Sequence, residues 1–237
     1  MSYEADQVSF DLPPPTHIPA YLEKTYWWAY VHPHAVRIFE RQWLVNAILW
    51  GNFSRLRDAA LDELGGSISG RTLQIACVYG DFSPRLADRL AEGASLDVVD
   101  VLPIQLDNVR KKLALDPRVT PRLGDSADLQ VSDATYDQTI LFFLLHEQPE
   151  AVRRRTLSEA LRITRPGGRI VIVDYHLPRR FHPLRYLFRP VLGWLEPFAL
   201  DLWNHELITW LPATVRSEQV RKETSFGGLY QKVVITV

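Results

Sequence analysis

The chain has 237 residues, of which 46% are hydrophobic and 23% are charged, and its formal net charge is −1. This composition predicts a globular protein with a full hydrophobic core, and the near-neutral charge argues against bulk binding of nucleic acid. The single cysteine excludes an internal disulfide framework and favours a reducing compartment.

The N-terminal region, residues 1–69, predicts an extended arm followed by a helical cap. The first residues, MSYEADQVSFDLPPP, carry acids and prolines where a signal peptide has basic and apolar residues. No apolar run in the sequence is long enough to span a membrane. The stretch from Ala20 to Phe53 predicts two helices that Pro33 divides.

Strands and helices alternate from Arg71 onward, which predicts an α/β core over residues 70–237 with a largely parallel sheet. The predicted parallel strands are RTLQIACV, SLDVVDV, RVTPRL, YDQTILFFLL and GRIVIVDY. The helix that follows the first strand, SPRLADRLAEG, is expected to begin with Ser83 as its N-cap. The last 23 residues, VRSEQVRKETSFGGLYQKVVITV, predict an antiparallel hairpin that turns at Gly227 and Gly228.

Residues 178–212 form a predicted insertion between the fifth and sixth strands. Apolar side chains recur at three-and-four spacing from Leu184 to Leu202, which is typical of an amphipathic helix. Pro190 and Pro197 are expected to break this helix into short pieces, and several arginines cluster at its start. The segment fits a lid that packs on its own sheet, a contact with an anionic bilayer, or both.

The residues that follow the strands are candidates for a site, because open α/β sheets bind ligands beyond the carboxyl ends of their strands. Gly80 follows the first strand and lets the backbone approach a ligand where a helix begins. Asp100 ends the second strand and is either a ligand for ribose hydroxyls or a solvated acid. Asp125 follows the third strand and either accepts a hydrogen bond from an adenine amino group or forms an Asx turn.

His146 and Glu147 end the fourth predicted strand, and Asp174 and His176 end the fifth. Asp174 and His176 lie two residues apart, so a fully extended strand would place both side chains on one face. These residue types suit proton transfer or a divalent metal, and the alternatives are structural hydrogen bonds or a strand-end turn. Tyr79 is a candidate for stacking on a ligand, for proton donation or for packing.

The layout resembles class I S-adenosylmethionine-dependent methyltransferases over residues 70–178 and 215–237. The segments that carry the resemblance are TLQIACVYGDFS, VVDV, GDSADL, LFFLLHEQP and LRITRPGGRIVIVDY. More narrowly, YWWAYVHP, IACVYGDFS and FLLHEQP are similar to the rhodoquinone biosynthesis family. The resemblance implies a seven-stranded Rossmann-like sheet. It also implies conversion of ubiquinone to rhodoquinone, with S-adenosylmethionine as the donor of the amino group that replaces a ring methoxy group.

The loop after the first strand departs from the methyltransferase pattern. Gln74 stands where those enzymes usually carry an acid. Ala76 and Val78 replace two of their three glycines, and only Gly80 remains. A nearby carboxylate would stabilise an ammonium, so its loss favours a neutral amino group on the cofactor. Amino transfer needs that neutral, nucleophilic amine, whereas methyl transfer needs the group held as an ammonium.

The resemblance implies roles for individual residues. The implied cofactor-binding residues are Gln74, Ala76, Val78, Tyr79, Gly80, Asp100, Val101, Gln105, Asp125, Ser126, Ala127 and Phe143. The implied catalytic residues are Tyr79, His146, Glu147, Asp174 and His176. The implied substrate-binding residues, which would wall a flat quinone ring, are Tyr26, Trp27, Trp28, Tyr30 and His32. A divalent ion such as manganese is implied at the quinone carbonyl, with His146, Asp174 and His176 as its ligands.

Ubiquinone carries a polyprenyl tail, so the enzyme is expected to work as a peripheral protein on the cytoplasmic side of the bacterial inner membrane. Two other functions stay open. One is a methyltransferase that acts on a quinone or a similar lipid ring. The other is a non-catalytic quinone-binding protein that has lost its cofactor, which the broken glycine pattern favours.

Overall fold

The computed structural model describes residues 18–25, 38–113 and 116–237. Pro33, which is predicted to divide two N-terminal helices, lies outside these residues. None of the described helices is long and apolar enough to cross a bilayer. The helices are α1 (Gln42–Ile48), α2 (Phe53–Leu64), α3 (Phe82–Asp88), α4 (Pro103–Lys112), α5 (Glu150–Ile163), α6 (Leu184–Leu195) and α7 (Ala199–Asn204).

Seven strands form one sheet in the order β3-β2-β1-β4-β5-β7-β6. The strands are β1 (Arg71–Ile75), β2 (Ser95–Asp100), β3 (Val119–Leu123), β4 (Tyr136–Phe142), β5 (Thr164–Tyr175), β6 (Val220–Ser225) and β7 (Tyr230–Thr236). Strands β1 to β5 pair in parallel, and β7 runs antiparallel to both β5 and β6. The predicted mixed sheet with a C-terminal antiparallel hairpin is therefore confirmed.

Helices cover both faces of the sheet because its central strands are apolar on both sides. Neighbouring residues of a strand point to opposite faces. Ile140 therefore packs in the cluster that holds α2 and α3, whereas Leu141 packs in the cluster that holds α5. The strand order reverses between β1 and β4, and sheets of this kind bind ligands at that point, beyond the carboxyl ends of the strands.

The local boundaries depart from the prediction in two places. Helix α3 begins at Phe82, so Ser83 lies inside the helix and not at its N-cap. The cap position is taken by Asp81, whose carboxylate accepts hydrogen bonds from Arg57 of α2. The predicted break at Pro190 is also wrong, since α6 continues through this residue. Pro190 is exposed, so water can reach the backbone carbonyl that lacks an amide donor.

Helix α2 is the element that the sequence analysis did not predict. Phe53, Leu56, Ala60 and Leu64 bury one of its faces at three-and-four spacing. The helix packs against β5 and closes one side of the core beneath the loop that follows β1. It therefore belongs to the support of the site and not to a separate cap.

Candidate functional site

A cavity of about 370 Å³ lies beyond the carboxyl ends of β1, β2 and β4. Helix α1 closes it on one side with Ile48 and Leu49, and α6 closes it on another with Phe188 and Leu192. The position is the one that the sheet topology predicts for a ligand. Predicted site residues that line the cavity are Ala76, Val78, Tyr79, Asp100, Val101, Gln105, Asp125, Ser126, Phe143, His146 and Glu147.

Other predicted site residues lie away from the cavity lining, although they are among the described residues: Gln74, Gly80, Ala127, Asp174 and His176. The predicted substrate-binding residues Tyr26, Trp27, Trp28, Tyr30 and His32 lie outside the described residues. The cavity therefore brings together most of the predicted cofactor-binding residues. The predicted aromatic wall for the quinone ring stays a prediction.

Two residues of the cavity wall hold a left-handed backbone without being glycine. Ala76, at the end of β1, has φ 70°, and Phe143, at the end of β4, has φ 54°. Ala76 stands in a position where the methyltransferase pattern has glycine, so the loop keeps the glycine-type backbone although the residue has changed. Such backbone strain costs about 1–3 kcal/mol and clusters at functional sites.

Gly80 has a structural role that differs from the predicted one. Its φ is 77°, and a side-chain Cβ there would come within 2.6 Å of Oε1 of Gln42. Its backbone N–H donates to Oε1 of Glu40 at 3.1 Å, and its carbonyl accepts from Nζ of Lys112 at 3.0 Å. Glycine at this position therefore permits the close approach of the residues before and within α1, and its predicted role towards a ligand stays a prediction.

Asp100 joins two loops at the cavity. Its Oδ2 accepts the N–H of Cys77 and its Oδ1 accepts the N–H of Leu102, both at 2.8 Å. Burial raises the pKa of Asp100, and the backbone N–H groups of Cys77 and Leu102 oppose that rise. Asp125, which follows β3, accepts the N–H of Ala127 at 2.8 Å, so the predicted Asx turn is present. Both carboxylates also line the cavity, where they suit the hydroxyl and amino groups of a nucleoside.

His146 and Asp174 form a buried pair at the edge of the cavity. Nδ1 of the histidine lies 2.9 Å from Oδ1 of the carboxylate. Burial lowers the pKa of His146, but the charge of Asp174 outweighs burial and raises the pKa to about 9. The histidine is therefore a cation at neutral pH, held by a carboxylate behind it, and it can donate a proton to a group in the cavity.

The predicted metal site of His146, Asp174 and His176 is not formed. Nδ1 of His176 lies 2.8 Å from the carbonyl of Gly228, and its Nε2 lies 3.7 Å from Oε1 of Glu206. Both oxygens of Asp174 already have partners. Oδ2 accepts the N–H groups of Leu145 and His146, and Oδ1 accepts the N–H of Tyr175 and pairs with Nδ1 of His146. Within the described stretches of the chain, no group of three His, Cys, Asp or Glu side chains could hold a metal ion.

Tyr79 packs between the residues before α1 and helix α4. Its ring stacks on Phe39 with centroids 5.9 Å apart, and its hydroxyl accepts a hydrogen bond from Nε2 of Gln105 at 2.8 Å. Burial raises the pKa of Tyr79, so the phenol stays protonated at neutral pH. Tyr79 is therefore a neutral phenol in the cavity wall and is unsuited to act as a base.

Tyr21 and Gln148 also line the cavity, and sequence reasoning missed both. Nε2 of Gln148 donates to Oγ of Ser126 at 3.0 Å, while its Oε1 is buried and has no hydrogen-bond partner among the described residues. An unpaired buried amide oxygen beside Ser126 fits a ligand that carries donors, such as an adenosine. The signal for Gln148 was its place in LFFLLHEQP, one residue after Glu147. No comparable signal marked Tyr21.

Arg153 ties the turn that carries His146 to the inserted segment. The fully buried guanidinium of Arg153 donates to the carbonyls of Leu145, Gln148 and Phe198 at 2.9, 2.8 and 3.0 Å. It also lies 4.3 Å from the ring centroid of Trp210, a cation–π distance. One side chain therefore fixes the position of the turn that carries His146 relative to residues 178–212.

Arg153→Met is expected to lower the free energy of unfolding by about 2–5 kcal/mol, because it removes the three hydrogen bonds that the buried guanidinium donates to backbone carbonyls. Guanidinium unfolding followed by circular dichroism measures this change. The matched control is Arg154→Met on the exposed side of the same helix, where loss of the ion pair with Glu150 should cost about 1 kcal/mol or less. Equal stability of the two variants would contradict the role of Arg153.

Comparisons with known proteins agree with the geometry. Residues 72–168 match a family described as a methyltransferase domain. A demethylmenaquinone methyltransferase from Beutenbergia cavernae is 36% identical over 140 residues, which cover 57% of this chain and 53% of that protein. The chain thus spans about half the length of that relative. A phosphatidylethanolamine N-methyltransferase from Cereibacter sphaeroides is 30% identical over 173 residues, which cover 68% of this chain and 80% of that protein.

A solved structure shares the fold. The N-methyltransferase NodS from Bradyrhizobium japonicum, in complex with S-adenosyl-L-homocysteine, superposes with a TM-score of 0.57 at 13% identity. The match covers 85% of this chain and 96% of that one. The sheet order, the cavity at its switch point, the matching domain and the Cereibacter relative lead to one conclusion. The chain belongs to the class I S-adenosylmethionine-dependent methyltransferases, a family of transferases.

Proposed function

We propose that the chain converts ubiquinone to rhodoquinone by replacing a ring methoxy group with an amino group. S-adenosylmethionine, when bound, would supply the nitrogen. Its bond from nitrogen to the α-carbon and the bond from the ring to the methoxy oxygen would both break, and the methoxy group would leave as methanol. The observation that carries the proposal is the altered loop after β1, where a neutral amide stands in the place of the family's acid. The cofactor is then the one that the family uses, and the transferred group is its amino group and not its methyl group.

The loop is neutral at its buried centre. Gln74 is fully buried, and its Nε2 donates to the carbonyl of Ala76 at 2.8 Å. An acid in this position would stabilise an ammonium nearby, whereas the amide does not. Val78 and Tyr79 add side chains where glycines would leave space, and both line the cavity. These features support an amino group that is held close to the substrate and stays nucleophilic.

The His146–Asp174 pair gives independent support. When an amine adds to a quinone carbon, negative charge develops on a carbonyl oxygen of the ring. A protonated histidine at the cavity edge can donate to that oxygen, and the carboxylate behind it keeps the ring oriented. Methylation of a quinol carbon instead requires a base that removes a proton, for which a histidine with a raised pKa is less suited.

The cavity has an apolar half that suits a quinone ring. Phe142, Phe143 and Phe188 line it together with Tyr175, on the side of His146. The ring of Tyr175 lies edge-on to His146, with centroids 4.9 Å apart. Flat aromatic side chains bury a flat ring with little loss of side-chain entropy, and they leave the histidine as a polar group facing it.

A second candidate is methyl transfer to a quinone ring. It is favoured by the activity named for the Beutenbergia relative, which is a demethylmenaquinone methyltransferase. The two candidates share the fold, the cofactor and the class of substrate. They differ in whether nitrogen or a methyl group reaches the quinone.

Labelled cofactor separates the two. The purified protein is incubated with S-adenosylmethionine that carries one isotope in its amino nitrogen and another in its methyl group. The acceptor is a short-chain ubiquinone or, in a parallel reaction, a short-chain quinol that lacks one ring methyl group. We expect the nitrogen label in the quinone product, together with loss of one methoxy group, by mass spectrometry. Methyl label in the product with no nitrogen label would establish methyl transfer. Absence of both labels, with no cofactor binding by calorimetry, would favour a non-catalytic quinone-binding protein.

Gln74→Glu is expected to suppress amino transfer. The two side chains have nearly the same shape, but a carboxylate cannot donate to the carbonyl of Ala76, so circular dichroism checks first that the variant is folded. Each unit by which a new carboxylate raises the pKa of the amine lowers its neutral fraction about tenfold. The rate of nitrogen incorporation measures the effect. Gln74→Leu is the control, since it removes the amide without adding charge and should keep more activity. Full amino transfer in Gln74→Glu would count against the neutral-amine explanation.

A further inference from the structure

The cavity opens between α1 and α6 onto an exposed apolar surface. Ile48 of α1 and Val191 of α6 both line the cavity and are exposed at its mouth. Leu187 and Trp194 flank Val191 on α6 at helical spacing and are 57% and 82% exposed. Trp50 is exposed beside them, with its ring centroid 5.6 Å from that of Phe188 in the cavity wall. These five exposed residues form the mouth rim: Ile48, Trp50, Leu187, Val191 and Trp194.

Helix α6 is apolar on two sides. Leu184, Phe188 and Leu192 are buried against the core, which leaves the side with Leu187 and Trp194 in solvent. An ordinary surface helix carries polar residues on its outer face, and a helix that is apolar on both sides is usually covered on both. A contiguous exposed apolar patch of this kind marks an interaction surface.

The charge next to the mouth rim indicates what covers it. Residues 176–195 contain four arginines and no aspartate or glutamate. Arg179, Arg180 and Arg189 among them are exposed. These arginines form no ion pair with any acid in the part of the chain that the structure describes. Aromatic and leucine side chains beside such positive charge are the combination that binds the interface of an anionic bilayer. A protein partner or a second copy of the chain would have to place acidic side chains opposite these arginines. An anionic bilayer already carries negative charge in its headgroups.

We propose that the mouth rim and its arginines dock the protein onto an anionic lipid bilayer, with the cavity opening directly into the acyl region. A quinone tail would then stay in the lipid while its ring enters the cavity through the gap between Ile48 and Val191. The entry of the quinone rests on the proposed function. The docking itself requires neither quinone nor cofactor, so it can be tested without them.

Vesicle sedimentation tests the docking. The full chain is mixed with vesicles of phosphatidylcholine alone or of phosphatidylcholine with phosphatidylglycerol, in the absence of any quinone. We expect binding to the anionic vesicles that weakens as salt is added. The double variant Leu187→Ser with Trp194→Ser should bind at least about fivefold more weakly, since it removes two side chains from the interface. The matched control is Ile208→Ser, which changes an exposed apolar residue (41%) that does not line the cavity.

A second pair of variants tests the charge. Arg179→Glu with Arg180→Glu should abolish the preference for anionic vesicles, whereas Arg216→Glu, which changes an exposed arginine in the loop before β6, should not. Circular dichroism confirms that each variant is folded before it is compared.

The results separate the docking from the reaction. Equal binding of the native chain to neutral and anionic vesicles, equal binding of the rim variant and its control, or no binding at all would overturn the docking proposal. Conversion of the native chain from dimer to monomer by the rim variant, without vesicle binding, would assign the surface to self-association and overturn it too. A chain that binds vesicles but transfers no nitrogen would keep the docking and reject the proposed function.

Discussion

His146→Gln is expected to lower the turnover of the quinone by about 10²- to 10⁴-fold, the contribution of a positioned acid. Glutamine keeps a polar side chain in the buried position but has no titratable proton to give. The effect should fall on turnover, with little change in S-adenosylmethionine affinity, because Asp100 and Asp125 lie on the far strands of the cavity. Steady-state rates and calorimetry of the cofactor measure the two quantities.

The control for His146 is His205→Gln, which changes an exposed histidine that follows α7. Turnover of His146→Gln within about threefold of the control would remove His146 from the chemistry. A positioning role can be told apart from a structural one with Asp174→Asn. This variant should lower the pKa of His146, and hence shift the alkaline limb of the rate profile to lower pH.

The same pair predicts how stability depends on pH. The folded pKa of His146 is about 9, above the value of about 6.5 expected for an unfolded chain. The protonated pair therefore stabilises the fold fully below pH about 6.5, and this contribution is lost as pH rises towards 9. Urea unfolding at several pH values should show the loss in the native chain, and His146→Gln should abolish this component.

Asp100→Ala is expected to weaken S-adenosylmethionine binding by about 1–3 kcal/mol. The substitution removes a carboxylate that lines the cavity, and it also releases the N–H groups of Cys77 and Leu102 that shape the two loops. Calorimetry with the cofactor measures the affinity, and thermal unfolding reports the cost to the fold.

Asp97→Ala separates these two effects. Asp97 is a buried acid of the same strand that is held by Arg122 at 2.9 Å and by the hydroxyl of Tyr136 at 2.7 Å, and it does not line the cavity. Its loss should destabilise the fold and leave cofactor affinity nearly unchanged. If both variants weaken binding to the same extent, the effect of Asp100 is structural and the residue is not a cofactor ligand.

Sequence patterns predicted much of the sheet because β1, β2 and β4 are short local runs rich in apolar residues, and each is followed by a helix. The same patterns placed Asp100, Asp125 and His146 at strand ends, and the sheet topology then brought them to one cavity. These inferences needed only the order of elements. Helix α2 was missed because its apolar spacing lies beside arginines and acids that weaken the local signal.

The partners of individual side chains could not be read from local patterns. Glycine at position 80 suggested a ligand, whereas the structure shows the close approach of Gln42, which comes 38 residues earlier in the chain. His176 was grouped with His146 because β5 was assumed to stay extended past Tyr175. The strand ends there, and pairing with Gly228 turns His176 towards Glu206 and Lys222. The contacts of Gly80 with Gln42 and of His176 with Gly228 join residues that are far apart in the sequence, so local patterns do not predict them.

The contacts that Glu40 and Gln42 make with the loop after β1 have a thermodynamic consequence. They accept the N–H groups of Gly80 and Asp81, which lie directly before helix α3. A ligand that used either donor would have to displace the chain's own acceptor, and its observed affinity would be lower by the free energy of that contact. By linkage, the same ligand would loosen the residues before α1 by an equal amount. A ligand can therefore reach these N–H groups only by displacing the side chain of Glu40 or Gln42.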